Sequence, residues 1–226
     1  VQLNFSFINQ NQEKFTEKNF ILTPENSSAY KFLEKFFNQD DFDRTQFPIM
    51  IVKGEENCGK THLLNIFAKK YNTEFINKEI LNDSNPLNIF ANNKFFIVDD
   101  YSQIIEEERI LSLINSAIEA RVFLLLADDN QRKFNLKDLN SRLKNIFATE
   151  IKNPSIETMK LLISYQLSQQ QIKLSGDIID DIISNSTRSY IAIESIIKKI
   201  NFFYIESGEK ISKSNISKFF NNNSKS

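Results

Sequence analysis

Lys60 and Thr61 stand directly behind Gly59, and Gly54 lies five positions upstream, in the run VKGEENCGKTHLL at residues 52–64. The chain has only 4 glycines in 226 residues, and this turn takes two of them. Gly54, Gly59, Lys60 and Thr61 fit the spacing G-x-x-x-x-G-K-[ST] without exception. The chemistry explains the pattern. Glycines let the backbone curl so that successive N–H groups point at one anion, and the following helix adds its positive end. Lys60 then reaches the outer phosphates, and the Thr61 hydroxyl holds Mg²⁺. The cofactor expected is ADP or ATP with Mg²⁺, bound by the stretch Gly54, Glu55, Glu56, Asn57, Cys58, Gly59, Lys60, Thr61 and His62. The side chains of Cys58 and His62 have no companion for metal binding or nucleophilic catalysis and read as packing residues. A chance match in a lysine-rich chain is the bland alternative, and the flanking elements argue against it.

The second half of such a site is an acidic residue closing a buried strand, and FFIVDD supplies it at residues 95–100. Asp99 is expected to hold Mg²⁺ through water, and Asp100 stands where many nucleotide hydrolases carry a water-activating glutamate. Alone, the pair would read as solvated aspartates at a strand end. A phosphate loop one crossover upstream makes it the other wall of a site.

These groups need a scaffold. From about Phe47 to Glu150, short apolar runs alternate with helical patterns. FPIMIVKG, KFFIVDD and RVFLLLADD read as buried strands, and TEFIN as a further one. GKTHLLNIFAKKY and IIEEERILSLINSAIEA carry apolar stripes at helical spacing, the latter through Ile110, Leu111, Ile114 and Ile118. Such alternation predicts an α/β fold with a parallel sheet covered by helices on both faces. After Pro154 the pattern is helical throughout, with stripes at Ile178, Ile179, Ile182 and Ile183 and at Ile193, Ile196, Ile197 and Ile200.

Composition narrows the classes. The net charge of −1, from 28 basic and 29 acidic residues, disfavours strong direct binding to duplex DNA. One cysteine, Cys58, excludes an internal disulfide and suits a reducing compartment. No apolar run approaches the ~20 residues that span a bilayer, and the first residues lack a signal-peptide layout. A cytoplasmic protein without membrane association is expected.

With both motifs and a helical last third, the chain resembles an AAA+ P-loop module, and more closely the DnaA and Hda group of replication proteins. GKTHLL and FFIVDDYSQI are similar to the corresponding DnaA segments, and RKFNLKDLNSRLKN to the stretch that carries the box VII arginine finger in Hda. The resemblance implies that Arg142 is a finger acting in trans and that Asp128 lies in the sensor 1 region. It implies a sensor 2 arginine where this chain has Ile191, with Arg188 about one turn earlier as a substitute. VQLNFSF at residues 1–7 is similar to a clamp-binding motif, with Gln2, Leu3, Phe5 and Phe7 in order, although the same alternation would suit an edge strand. The domains implied are a clamp-binding peptide over 1–10, an AAA+ nucleotide-binding domain over 11–153 and a small all-helical lid over 154–226. A helix-turn-helix domain is not expected, and on that expectation Hda is favoured over DnaA.

The function implied is regulation of chromosomal replication initiation. The protein would dock on the sliding clamp (beta subunit), stimulate ATP hydrolysis by DnaA through Arg142, and have weak or no ATPase of its own. A homodimer is compatible with this, and sequence-specific DNA binding is not expected. The rival readings are a self-contained ATPase of helicase-loader type, a DNA-binding initiator fragment and a nucleotide-bound scaffold that never catalyses.

Overall fold

The computed structural model describes residues 15–38, 48–83, 89–90, 94–101, 106–129, 132–208 and 211–216. They form two compact units. The first holds the described residues through Gly54 and those of Gly59–Lys152; the second holds Glu55–Cys58 and the described residues from Asn153 onward.

The first unit is built on five strands, β1 (Ile49–Lys53), β2 (Glu74–Phe75), β3 (Phe95–Val98), β4 (Phe123–Asp128) and β5 (Phe147–Glu150). Their order is β2-β3-β4-β1-β5, and every pairing is parallel. The expected parallel α/β sheet is therefore present. β1, β3 and β4 are interior strands, and their apolar runs follow from burial on both faces. β1 and β4 are in register from Ile49↔Leu124 to Lys53↔Asp128, so Asp128 and the residue that enters the phosphate loop end side by side.

Side chains alternate across the sheet. On one face Ile49, Ile51, Phe96, Val98, Leu124 and Leu126 join Ile110, Leu113, Ile114 and Ala117 of the helix Glu107–Glu119 (α4) in one buried cluster. The other face carries an aromatic layer beside buried Met50, Val52, Ile97 and Leu125. Phe37 of α1 (Pro24–Phe37) stacks on Phe67 and Tyr71 of α2 (Lys60–Tyr71), and leans on Phe95 of β3. Phe36 meets Phe123 of β4 edge to face. Rings of this size fill a helix–sheet layer with few residues. Among the described residues the unit also holds the α-helices α3 (Lys78–Asp83) and α5 (Lys137–Asn145).

Neither α1 nor β5 was anticipated. Helix α1 begins with Thr23 as N-cap and Pro24 at the first helical position, and the Asn26 side chain accepts the Thr23 N–H at 2.8 Å. Its apolar residues Ala29, Leu33, Phe36 and Phe37 share a face. β5, FATE, is an edge strand with three exposed residues, which is why it lacks an apolar run.

The second unit carries α6 (Ile156–Gln169), α7 (Gly176–Ser184) and α8 (Tyr190–Ser207). Ser155 caps α6 by accepting the Thr158 N–H at 3.2 Å, and Ser189 caps α8 by accepting the Ala192 N–H at 3.0 Å. Such caps contribute about 0.5–2 kcal/mol each. Met159, Ile163, Leu167, Ile179, Ile182 and Ile200 are among its buried residues. No helix among the described residues is long and apolar enough to cross a membrane.

Phe37→Ala removes the ring shared by both helices and the sheet, and is expected to cost about 3–5 kcal/mol in urea unfolding. Leu161→Ala, on a residue 49% exposed, is expected to stay within about 0.5 kcal/mol of wild type.

Candidate nucleotide site

β1 ends at Lys53 and α2 begins at Lys60, so the loop between them leaves the carboxyl end of an interior parallel strand. Ligands of open α/β sheets bind at that end. The loop closes through Gly59, whose φ of 97° and ψ of 15° lie in the left-handed region. Among the described residues a Cβ there would meet only Phe20, at 3.8 Å, an ordinary contact. The requirement for glycine is thus conformational rather than spatial. Asn57, also left-handed at φ 64°, is one of the few residue types that tolerate such a bend.

Polar groups converge on this turn. Gly54 donates its N–H to the Asp128 carbonyl at 3.3 Å, tying the loop to the end of β4. The Lys60 ammonium, nearly buried at 9% exposure, donates to the Gly54 carbonyl at 2.8 Å. The Thr61 hydroxyl donates to the Asp99 carboxylate at 2.6 Å. A cation beside a curled backbone, with a hydroxyl and a carboxylate adjacent, is the donor set for a polyphosphate and a hydrated divalent cation. Gly54, Gly59 and Lys60 would hold the phosphates, and Thr61 and Asp99 the Mg²⁺. A bound nucleoside triphosphate would supply a γ-phosphoryl group that can be transferred to water.

Burial pushes Asp99 above the usual carboxylate range, while the Thr61 bond and the nearby Lys60 charge pull it down. Asp100 is exposed and left-handed at φ 54°, so β3 ends in a sharp bend that separates the two aspartates. Within the second unit, the Glu55 carboxylate accepts the Tyr190 N–H, and the Asn57 amide donates to Glu194.

Tyr101 is a residue that motif reading did not single out. It is 2% exposed, and its hydroxyl bonds the Asp128 carboxylate. Burial, followed by the charge of Asp128, raises its phenol well above the ordinary range. Its ring stacks on Phe134, with centroids 6.1 Å apart. Asp128, 3% exposed, is therefore held on both sides: its carbonyl supports Gly54 and its carboxylate meets Tyr101. The adjacency VDDY was the available signal. His62 turns away from the loop's interior; its Nε2 lies 2.9 Å from the Thr16 carbonyl, to which it donates, and its ring packs against Phe15 and Phe20.

Arg142 is not part of this constellation. It is exposed on α5 and lines a groove of about 140 Å³ with Pro48, Ile49, Ile118 and Phe147. Pro48, Ile49 and Phe147 mark the amino ends of β1 and β5, whereas the phosphate loop leaves the carboxyl end of β1. Five residues of strand, roughly 15 Å, separate the two ends. In the second unit Arg188 is exposed ahead of the Ser189 cap, and Ile191 is 45% exposed in the first turn of α8. Gln2, Leu3, Phe5 and Phe7 lie outside the described residues.

No family model matches the chain. It is 26% identical over 212 residues to the chromosomal replication initiator DnaA of Helicobacter hepaticus, covering 83% of this chain and 45% of that protein. It is also 26% identical over 222 residues to DnaA of Campylobacter jejuni subsp. jejuni, covering 87% of this chain and 50% of that one. The chain thus spans about half the length of these curated relatives. Among solved structures, domain III of Thermotoga maritima DnaA superposes with a TM-score of 0.70 at 16% identity, covering 92% of this chain and 96% of that one. AMPPCP-bound DnaA from Aquifex aeolicus gives 0.63 at 22% identity, over 83% and 64% of the two chains. The chain has an AAA+ P-loop fold, and its sequence is similar to that of DnaA over most of its length. The RuvB branch-migration motor of Thermotoga maritima shares the fold at a TM-score of 0.66 and 15% identity, over 93% and 72% of the two chains.

Two measurements test the local chemistry. Gly59→Ala forces a side chain into the left-handed region and is expected to lower stability by about 1–2 kcal/mol in urea unfolding. His62, the chain's one histidine, is expected to titrate below its ordinary value of 6.5, because burial disfavours the imidazolium and Lys69 adds to the effect, against the Thr16 bond. Its contribution to stability is therefore complete above pH 6.5 and is lost as the pH falls through the lower folded value. NMR of the imidazole protons reads this directly, and His62→Leu is expected to remove that part of the slope.

Proposed function

We propose that this chain is a nucleotide-binding regulator of replication initiation that activates ATP hydrolysis by DnaA through Arg142. The observation that supports this reading is the separation of Arg142 from the chain's own phosphate loop by the length of the sheet. A guanidinium at the amino ends of β1 and β5 has no access to the phosphates that Lys60 would hold. It is exposed, and so available to a second molecule. Its planar fork suits charge building on a γ-phosphate, and a finger supplied in trans raises hydrolysis by roughly 10³–10⁵ in other NTPases.

The chain's own site would bind ADP or ATP with Mg²⁺ through Gly54, Gly59, Lys60, Thr61 and Asp99. Asp100 stands in the place of a water-activating group, with an arm one methylene shorter than glutamate, which fits slow intrinsic turnover. Arg188 would sense the bound nucleotide in place of an arginine at Ile191. Gln2, Leu3, Phe5 and Phe7 would dock on the sliding clamp, since a few apolar anchors on an extended peptide can dominate binding to a preformed pocket.

Arg142→Ala is expected to leave folding and nucleotide binding intact and to abolish stimulation of DnaA hydrolysis. Undiminished stimulation by this variant would rule the mechanism out. Rapid ATP turnover by the purified chain alone, lost in Lys60→Ala, would favour the helicase-loader type instead. Removal of residues 1–7 is expected to eliminate capture of the clamp while sparing nucleotide binding.

A further inference from the structure

Helix α5 carries Arg142, yet little of its own sequence holds it in place. It has nine residues, and Leu139 is the one among them that is buried; Leu143 packs only partly against the core. Helices this short are marginal without outside anchoring. Its N-cap residue is Leu136, whose side chain makes no capping bond and, being apolar, can make none. The first backbone N–H groups of a helix still need acceptors.

Glu107, in the first turn of α4, supplies one. Its carboxylate accepts the Leu136 N–H at 2.6 Å and the Asn135 N–H at 2.9 Å, with a second contact to Asn135 at 3.0 Å. These are charge-assisted bonds, stronger than neutral ones. The negative charge also faces the positive end of α5. The two amides hold Glu107 below the usual carboxylate range, so the acceptor is ionised at neutral pH. Asn140 closes the turn from the other side by donating to the carbonyls of Phe134 and Leu136.

We infer that Glu107 is a positioning residue for Arg142: by clamping the start of α5 it fixes the direction in which the guanidinium is presented. The inference rests on the reading of Arg142 as a group that acts on a partner's nucleotide. The leverage follows from helix geometry. Arg142 lies six residues beyond Leu136, about 9 Å along the axis, so a tilt of about 10° at Leu136 displaces its Cα by roughly 1.5 Å. Misplacement by about 1 Å can cost a catalytic group up to 10²-fold.

The test uses the full chain with ATP-loaded DnaA, comparing wild type, Glu107→Ala, Glu107→Gln and Arg142→Ala. Stimulated hydrolysis is measured against concentration of the chain, and amide exchange at Asn135 and Leu136 is followed by NMR. Glu107→Ala is expected to lower the maximal stimulated rate about 10- to 100-fold, with the half-saturating concentration unchanged and both amides exchanging faster. Glu107→Gln keeps a carbonyl acceptor and is expected to recover most of the rate and the protection. Should Glu107→Ala fail to fold, Glu107→Asp, whose shorter arm cannot reach both amides, takes its place with the same expectation.

The inference is overturned if the amides open while the maximal rate stays at the wild-type level. It is equally overturned if only the half-saturating concentration changes, or if Glu107→Gln is as impaired as Glu107→Ala. Failure of the underlying reading looks different: wild type gives no stimulation, or Arg142→Ala stimulates fully.

Discussion

The chain passes from β1 to α2 through a left-handed bend at Gly59, and the whole candidate site depends on that bend. It lets the strand reverse into a helix within six residues, so that the Lys60 ammonium folds back onto the Gly54 carbonyl and Thr61 lands beside Asp99. The parallel sheet makes this geometry useful. Because β1, β3 and β4 run the same way, the loop, Asp99 and Asp128 all emerge at one end. A polyphosphate-binding cradle needs this convergence of amides, one ammonium and one carboxylate, and no large side chain.

The same parallel arrangement separates two kinds of chemistry. Groups that would serve the chain's own nucleotide lie at the carboxyl ends of the strands. Arg142 lies at the amino ends, beside Ile118 and Phe147, two partly exposed apolar residues. One sheet thus gives the unit one end that would accept phosphate charge and an opposite end that carries an exposed cation. Tyr101 and Phe134 join the carboxyl end of the sheet to the start of α5: the tyrosine meets Asp128 behind the loop and stacks on the segment that leads into α5. Their packing gives the loop and the start of α5 shared neighbours.

Much of this was legible from residue order, and what was not has physical causes. The phosphate loop, Asp99 and the interior strands announce themselves because spacing and burial leave strong local patterns. The helical stripes of α7 and α8 are equally plain; that of α4 was only partly right, since Leu113 and Ala117 are buried while Ile118 is 41% exposed. β5 was hidden because an edge strand with Ala148 and Glu150 exposed needs no apolar run. Helix α1 carried a legible start at Thr23-Pro24 and a stripe through Ala29, Leu33 and Phe36, signals that were available in the sequence. The contact that Glu107 makes with the start of α5 left no trace in the sequence. Its partners Asn135 and Leu136 lie 28 and 29 residues away, and within its own segment it is one of three consecutive glutamates at the start of a helix.

The central claim is that the turn before Lys60 binds a polyphosphate. Calorimetric titration of the purified full chain with ADP and with ATP, each with and without Mg²⁺, tests it most directly. The account predicts saturable binding at one site per chain, tighter with Mg²⁺, and weakened at least about tenfold by Lys60→Ala, the scale of a lost charged hydrogen bond. Absence of binding to either nucleotide, or equal affinity in Lys60→Ala and wild type, would contradict it.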